Sequence, residues 1–559
     1  MTERGPEPVG AARESRWPRY AAAAAGFAWF LYIGGGPTLN PRNFLWVMAG
    51  DWLQHWLGWL YFQHDPWSFP LGRISSLLYP VGTNIGFTDS NPLVSLLLKP
   101  FASLLPKYVQ FIGPWLATCF ALQGYMGAAL ASTVTRRPWQ QFLGGCLFVL
   151  SPVLVARLGH DTLCAHWLIL GLLYLGLRDC RNDDAARRFA WLAAGAAVLS
   201  SWIHPYLAAI CWVLAHAVYL RLWRSQRFTL SRAAVFSAVS TGAMLAAFWV
   251  VGYFQGAGLA TDGFGAYSSN LLTFVNAMGH SRLLPTIDVP PKQWEGFGFL
   301  GAGGIVLAIV ALAVFARRRP WAAAARAWPI LAVALLMGVY AISTVVLAGN
   351  REVWRADWLT PVATPFRASG RFIWPIHYLV LLFGVWGITR AFGSRRATLA
   401  TFALAAAISF QAIDLKVDSF WLSAKVIRQA PLYNLRAAAG RYHHVALVPM
   451  DVFGACGGGY DEDRTYRYMY LAYRLDATYN SGIFARLQGA RVLRECLKQQ
   501  QAILRGQLDP ETIYVMSPDD LPAFDAAGAA CGQFAEDAIC VSRDSDAAFR
   551  RYLVESGRR

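Results

Sequence analysis

The sequence predicts a mainly α-helical, polytopic transmembrane bundle of about eleven spans, followed by a small α/β or α+β soluble domain. Three observations carry that expectation: composition, the placement of apolar blocks and the placement of arginines. Of 559 residues, 56% are hydrophobic, 14% aromatic and only 15% charged, with a mean hydropathy of +0.34. A soluble domain cannot hide that much apolar surface, so lipid must cover part of it. Apolar blocks recur along the chain to about residue 415 and then thin out. The net charge of +17 is concentrated in short gaps between blocks: Arg136 and Arg137, Arg178 to Arg188, Arg221 to Arg232, Arg317 to Arg319, and Arg395 and Arg396. Short basic gaps between spans are the positive-inside pattern, which argues against a nucleic-acid surface.

The segments that read as spans are approximately 20–36, 110–134, 139–156, 162–178, 188–203, 205–222, 233–254, 298–316, 328–348, 373–389 and 397–413. The first follows a basic N-terminus and lacks a clean small-x-small cleavage site, so it reads as retained. An odd number of spans from a cytoplasmic start places the C-terminus outside. Residues 1–414 then form the membrane domain, with a large first external loop at 37–109, and residues 415–559 an exported soluble domain. Cysteine usage agrees: Cys456, Cys496, Cys531 and Cys540 are an even set in that tail, and Cys531 with Cys540 is the favoured pair. Strand-like runs lie at 443–449, 513–516 and 539–541, with a helical stretch at 484–500. No internal repeat is evident, which disfavours the two-halves plan of secondary transporters.

The first external loop carries Gly50-Asp51-Trp52-Leu53-Gln54-His55-Trp56-Leu57-Gly58-Trp59. On a helix Asp51, Gln54, His55 and Gly58 share one face, a polar stripe ending in a glycine where a substrate can approach, on an otherwise apolar interfacial helix. An acid at a membrane surface is a candidate functional group; Asp51 suits a general base, or alternatively caps the helix. Asp89, in Asp89-Ser90-Asn91-Pro92, is a second acid on that side and also part of a helix-start signal. Further external turns hold His160 and Asp161, then His166, and His204 before Pro205. His160 and His166 diverge on a straight helix, so substrate hydrogen bonding is preferred to metal ligation there. In Pro365-Phe366-Arg367-Ala368-Ser369-Gly370-Arg371, Arg367 and Arg371 reach one side if helical and suit a phosphate, with attraction to anionic lipid headgroups as the plainer alternative. The loop 255–297, with Gly256, Gly258, Gly263 and Gly265, reads as a lid or a plain surface loop. The tyrosine-rich stretch 466–480 suits sugar faces.

Together these features resemble the GT-C superfamily of polytopic glycosyltransferases, which use polyprenyl-phosphate sugars. Asn40-Pro41, Gly50-Asp51, Gln54-His55, Gly58-Trp59, Pro70-Leu71-Gly72, Asp89-Ser90, Gly159-His160, His166-Trp167, Ser369-Gly370-Arg371-Phe372 and 476–482 look like a bacterial integral membrane protein family within it. The resemblance implies that an acid of the first external loop, here Asp51 with Asp89 as the other, is the base or lies beside the acceptor; Asp51 is followed by Trp52 rather than by a second acid. Gln54 or His55 would assist, and Arg367, Ser369, Arg371, His160, His166 and His204 would bind substrate. No metal or cofactor is expected, because arginine can stabilise a leaving phosphate. The expected partners are a lipid-linked sugar donor, a glycan, lipid or protein acceptor, and membrane lipids, with no nucleic acid. The expected location is the bacterial inner membrane, with the N-terminus cytoplasmic and the tail periplasmic. The competing readings are a translocase for lipid-linked glycans and a membrane acyltransferase; the latter would place its histidine inside a span, where His216 and His377 stand.

Overall fold

The computed structural model describes residues 15–256, 264–356, 358, 366–392, 394–417, 441–450, 452, 456, 461–534 and 536–556. Gly258, Gly263 and Pro365 lie outside them. The chain is a mainly helical membrane protein with a small C-terminal sheet. Among the described residues six helices are long and apolar enough to cross a bilayer: Pro138–Val155, Pro205–Arg224, Leu230–Val251, Ala324–Ile342, Ser369–Ala391 and Ala397–Asp414. The other segments expected to span fall short. Trp17–Phe30 has 14 residues, Trp167–Leu177 has 11 and Ala302–Arg318 has 17. Asp183–Ser201 opens with Asp183, Asp184, Arg187 and Arg188, and Ile112–Ala131 is broken up by Gln123, Tyr125 and three glycines. Two of these, 112–131 and 167–177, are buried along most of their length, so neighbouring helices rather than lipid face them and the need for apolar residues relaxes.

Small residues let the first helices pack closely. A Cβ on Gly26 would stand 2.1 Å from the Phe120 carbonyl oxygen, and one on Gly124 would stand 2.0 Å from that of Ala22. Lipid offers helices no hydrophobic drive to associate, so such backbone approach supplies much of the contact.

The two ends of the bundle differ. At one end the basic connections meet: the Arg221 guanidinium donates to the Arg178 carbonyl (2.8 Å), Arg178 to the Ser132 hydroxyl (3.4 Å) and Arg318 to the Arg390 carbonyl (2.8 Å). Gln140 reaches the Ala397 carbonyl (3.3 Å), which joins the first of these connections to the last. At the other end the long connections interlock. Trp52 donates to the Leu158 carbonyl (2.9 Å), Leu93 N–H to Trp202 (2.6 Å), Leu71 N–H to Val250 (2.8 Å) and Gly370 N–H to Tyr267 (3.0 Å). Residues 264–297 are tied down, with Ser269 N–H on the Ala341 carbonyl (2.7 Å) and Asn270 on Gln293 (2.8 Å).

The C-terminal sheet has the strand order 478–479, 444–448, 512–516, 537–541, 530–534. The first three run parallel and the last two pair antiparallel, with helices Glu462–Arg474 and Gly489–Leu504 in the connections. Disulfides join Cys531 to Cys540 across adjacent strands and Cys456 to Cys496. This domain sits on the loop-bearing end. Tyr79 N–H donates to the Tyr479 carbonyl and Tyr479 N–H to Ser76, each at 2.9 Å. The Tyr61 hydroxyl donates to the Met469 carbonyl (2.9 Å) and the Tyr473 hydroxyl to that of Lys107 (2.7 Å). The tyrosine-rich stretch expected to meet sugar is therefore mostly buried, holding the domain to the first loop.

Replacing Gly124 by Leu should lower stability by about 3 kcal/mol, because the carbonyl it would strike cannot move aside. Gly242→Leu, where a side chain meets open space, should leave it unchanged. Thermal challenge followed by size-exclusion chromatography separates the two outcomes.

Candidate functional site

The helix Gly50–His64 is buried at every residue from Trp52 to Gln63. It is an internal strut and not the interfacial helix expected from its tryptophans, which point into protein: Trp52 to Leu158 and Trp56 to the Val109 carbonyl (3.2 Å). Gly58, expected to admit a substrate, admits the chain itself. A Cβ there would lie 2.3 Å from the Thr88 hydroxyl and 2.4 Å from that of Ser90. That contact seats residues 88–90 on the polar stripe and brings Asp89 to it. Asp89 adopts a left-handed backbone (φ 53°), a conformation that costs a non-glycine residue about 1 kcal/mol or more. The helix-start role falls to Asn91, whose side chain accepts from Val94 N–H.

Two imidazoles are each held by a carboxylate. His160 Nδ1 lies 3.0 Å from Asp51 Oδ2, and His55 Nδ1 bonds Asp161 Oδ1. The His160 ring packs edge-on to His55 (4.9 Å between centroids) and to His204 (5.5 Å). His204 Nδ1 accepts from Tyr206 N–H (3.1 Å), which leaves Nε2 facing Asp89 Oδ1 at 3.7 Å. One ligand atom each from His55, Asp89 and His160 falls within 4.8 Å of the others.

Beside this cluster lies an ion triad. Glu295 accepts two bonds from Arg371 (2.8 and 2.6 Å) and one from Arg157 (2.8 Å), and all three side chains are buried. Arg157 also donates to the Trp294 carbonyl (2.9 Å) and lies between the rings of Trp294 and Trp374. Arg371 lies 4.4 Å from the Tyr206 ring, and the Tyr206 hydroxyl accepts from Ala368 N–H (2.8 Å). Arg367 is not helical with Arg371; the 3-10 turn begins at Ser369, so Arg367 stays exposed over the Tyr267 ring. The partner of Arg371 is thus Arg157, through Glu295. Ser369 is buried and donates to the Ala341 carbonyl (3.4 Å). His166 turns into the bundle and bonds the Tyr378 hydroxyl (2.7 Å), apart from the other histidines. Gln54 is buried, and no hydrogen bond among the described residues joins it to the acids.

Electrostatics distinguish these acids. Burial raises the Asp51 carboxyl, but the bond to His160 and its charge outweigh that and leave it below its ordinary value; half its side chain is exposed. Burial also raises Asp89, and there it prevails. For His55 burial works downward, yet Asp161 carries the imidazole above its usual range. Burial would raise Glu295 as well, but Arg371 and Arg157 hold it at about 2. Glu462, at the start of a C-terminal-domain helix, is raised by burial and then by Asp51, so that domain reaches the rim of the site.

Glu295 and Arg157 are the residues that sequence reasoning missed. A single acid beside a span on the loop side, in Lys292-Gln293-Trp294-Glu295-Gly296, was the available signal. Glu295→Gln should destabilise the protein by about 3–5 kcal/mol, because it leaves two buried guanidiniums uncompensated. The folded value near 2 lies below the unfolded one of about 4.3, so the stabilisation is present above about pH 4 and fades as pH falls towards 2. Thermal unfolding of wild type and variant should therefore differ at pH 7 and converge on strong acidification.

Comparison with known families matches both parts of the chain. A family model described as a domain of unknown function (DUF6311) covers residues 23–416, and one described as the DUF6311 C-terminal domain covers 434–542. The first range ends just past the last bundle helix, and the second contains the whole five-stranded sheet. Among curated proteins none matches the sequence. With most of its length inside the first model, the chain belongs to the DUF6311 family.

Proposed function

We propose that this protein is a GT-C-type membrane glycosyltransferase, moving a sugar from a polyprenyl-phosphate carrier to a hydroxyl acceptor at the loop-bearing end of the bundle. The observation that carries the reading is convergence: Asp51 and Asp89 of the first loop meet histidines and arginines from three later connections, and Glu295 from a fourth, at one end. The acceptor oxygen attacks the anomeric carbon as the bond from that carbon to the phosphate oxygen breaks. The acceptor proton passes to Asp51, and the lipid phosphate departs with the bonding electrons. Asp51 uses Oδ2 to hold His160, and its exposed side is open to an acceptor.

The phosphate contact belongs to Arg367 rather than Arg371, since Glu295 already occupies Nε and Nη2 of Arg371. Arg486 of the C-terminal domain lies near enough to Arg367 for their charges to interact, and both lie near Tyr206. Two guanidiniums there suit a phosphodiester. In this reading the five other helices expected to span complete the membrane layer around these six, the basic end faces the cytoplasm and the C-terminal domain is periplasmic in the bacterial inner membrane.

The alternatives find less support. His377 Nδ1 bonds the Gly298 carbonyl (2.9 Å) and Nε2 the Ser151 hydroxyl (2.8 Å), and His216 is engaged by Trp212 and Thr241. Neither leaves a nitrogen for acyl transfer.

Purified protein in nanodiscs, offered a panel of polyprenyl-phosphate sugars and acceptors, should release lipid phosphate. Asp51→Asn should reduce turnover about 10²–10⁴-fold with the fold intact. Arg367→Ala should raise the donor KM about tenfold or more, with Arg367→Lys intermediate. Absence of donor consumption, or an Asp51→Asn variant as fast as wild type, would overturn the reading.

A further inference from the structure

We propose that His55, His160 and Asp89 bind one divalent first-row transition-metal ion of the zinc class, leaving a coordination position open. The inference does not depend on glycosyl transfer. It rests first on which atoms are already used. Both Nδ1 atoms are taken by carboxylates, Asp161 for His55 and Asp51 for His160. Both Nε2 atoms are buried and have no hydrogen-bond partner among the described residues. Leaving a buried polar atom unsatisfied is costly, and one ligand atom from each ring lies within 4.8 Å of the other and of one from Asp89.

The second support is the pattern of orientation. A metal-bound imidazole ordinarily gives its other N–H to a carboxylate, which fixes the tautomer and sharpens the ligand. The site shows this twice, on histidines that are 105 residues apart in sequence. Asp89 is aimed at the same space, by the Gly58 contact and its left-handed backbone on one side and by His204 on the other. His204 is not counted as a ligand. Its Nδ1 accepts a backbone N–H, so its Nε2 carries the proton and points it at Asp89.

Charge is the third support. Among the described residues Asp51, Asp89, Asp161 and Glu295 are joined in this cluster by two guanidiniums, Arg157 and Arg371, so once both imidazoles are neutral, as metal ligation requires, the site carries two negative charges in excess. A divalent cation balances them. The donor set selects its class: two imidazoles and one carboxylate suit zinc and its neighbours, whereas magnesium and calcium prefer oxygen. The ligand atoms, within 4.8 Å of one another, need to draw in to about 3.3 Å for tetrahedral zinc. Sequence reasoning set metal aside because it paired His160 with His166; the second imidazole comes instead from the first loop.

The test uses full-length protein in detergent, its affinity tag removed, stripped by chelator and titrated with Co²⁺ alone. The expected result is one Co²⁺ per chain, visible d–d bands of a four- or five-coordinate site, and displacement by one equivalent of Zn²⁺. His160→Gln, a partly exposed position that should fold, and Asp89→Asn should each weaken binding at least 100-fold. Asp51→Asn and Asp161→Asn should weaken it about 10- to 100-fold. Binding that is substoichiometric, or that His160→Gln and Asp89→Asn leave unchanged in protein eluting as wild type, would overturn the proposal. Because the readout is cobalt absorption and not turnover, failure of the metal site and failure of the transfer reaction are told apart.

Discussion

Three connections of the chain come to one point at Glu295. Its carboxylate joins Arg157, just past the end of Pro138–Val155, to Arg371, in the first turn of Ser369–Ala391. Removing three charges from water is costly, and their mutual attraction recovers the cost only if the geometry is close to complete. Here it is: Arg371 is bidentate, and Arg157 is held further by the Trp294 carbonyl and flanked by two indoles. Glycines make the approach possible, since a Cβ on Gly370 would stand 2.5 Å from Gly296 Cα. The triad fixes the loops that carry Tyr206, His204 and, through the 157–161 turn, His160.

Above the triad the imidazoles and acids form a second layer. His55 and His160 are each held by an acid from another part of the chain, and His204, held by its own turn, faces Asp89, so the loops that carry them are coupled. This is the arrangement expected where positioned side chains, rather than a flexible lid, set the chemistry. The described part of the 255–297 connection agrees, because its hydrogen bonds anchor it to the bundle. The left-handed backbone at Asp89 is a local cost that the surrounding contacts sustain.

The C-terminal domain completes this end instead of hanging from it. Its tyrosine-rich helix packs on the first loop, its Glu462 lies beside Asp51, and its Arg486 lies near Arg367. Sugar recognition by those tyrosines would need them exposed, and burial turns them into an adhesive face. Separate family models for the two parts therefore describe pieces that share one polar site.

Composition determined the membrane class, because apolar surface on this scale partitions into lipid, arginine placement marked the bundle end where the basic connections meet, and the even set of tail cysteines pointed to the disulfides found there. The polar stripe Asp51, His55 and Gly58 was legible too, since helical periodicity is local. Tertiary structure decided the rest. Length and apolarity expected about eleven spans where six helices qualify among the described residues; two of the others, 112–131 and 167–177, lie inside the bundle and meet protein more than lipid. Arg367 and Arg371 looked like a pair from their spacing, yet the turn starting at Ser369 separated them and gave Arg371 to Glu295. His166 left the group that His55 joined, and a glycine meant for substrate took a loop. Which charges neutralise one another depends on distances across more than a hundred residues of chain, and no local pattern encodes those.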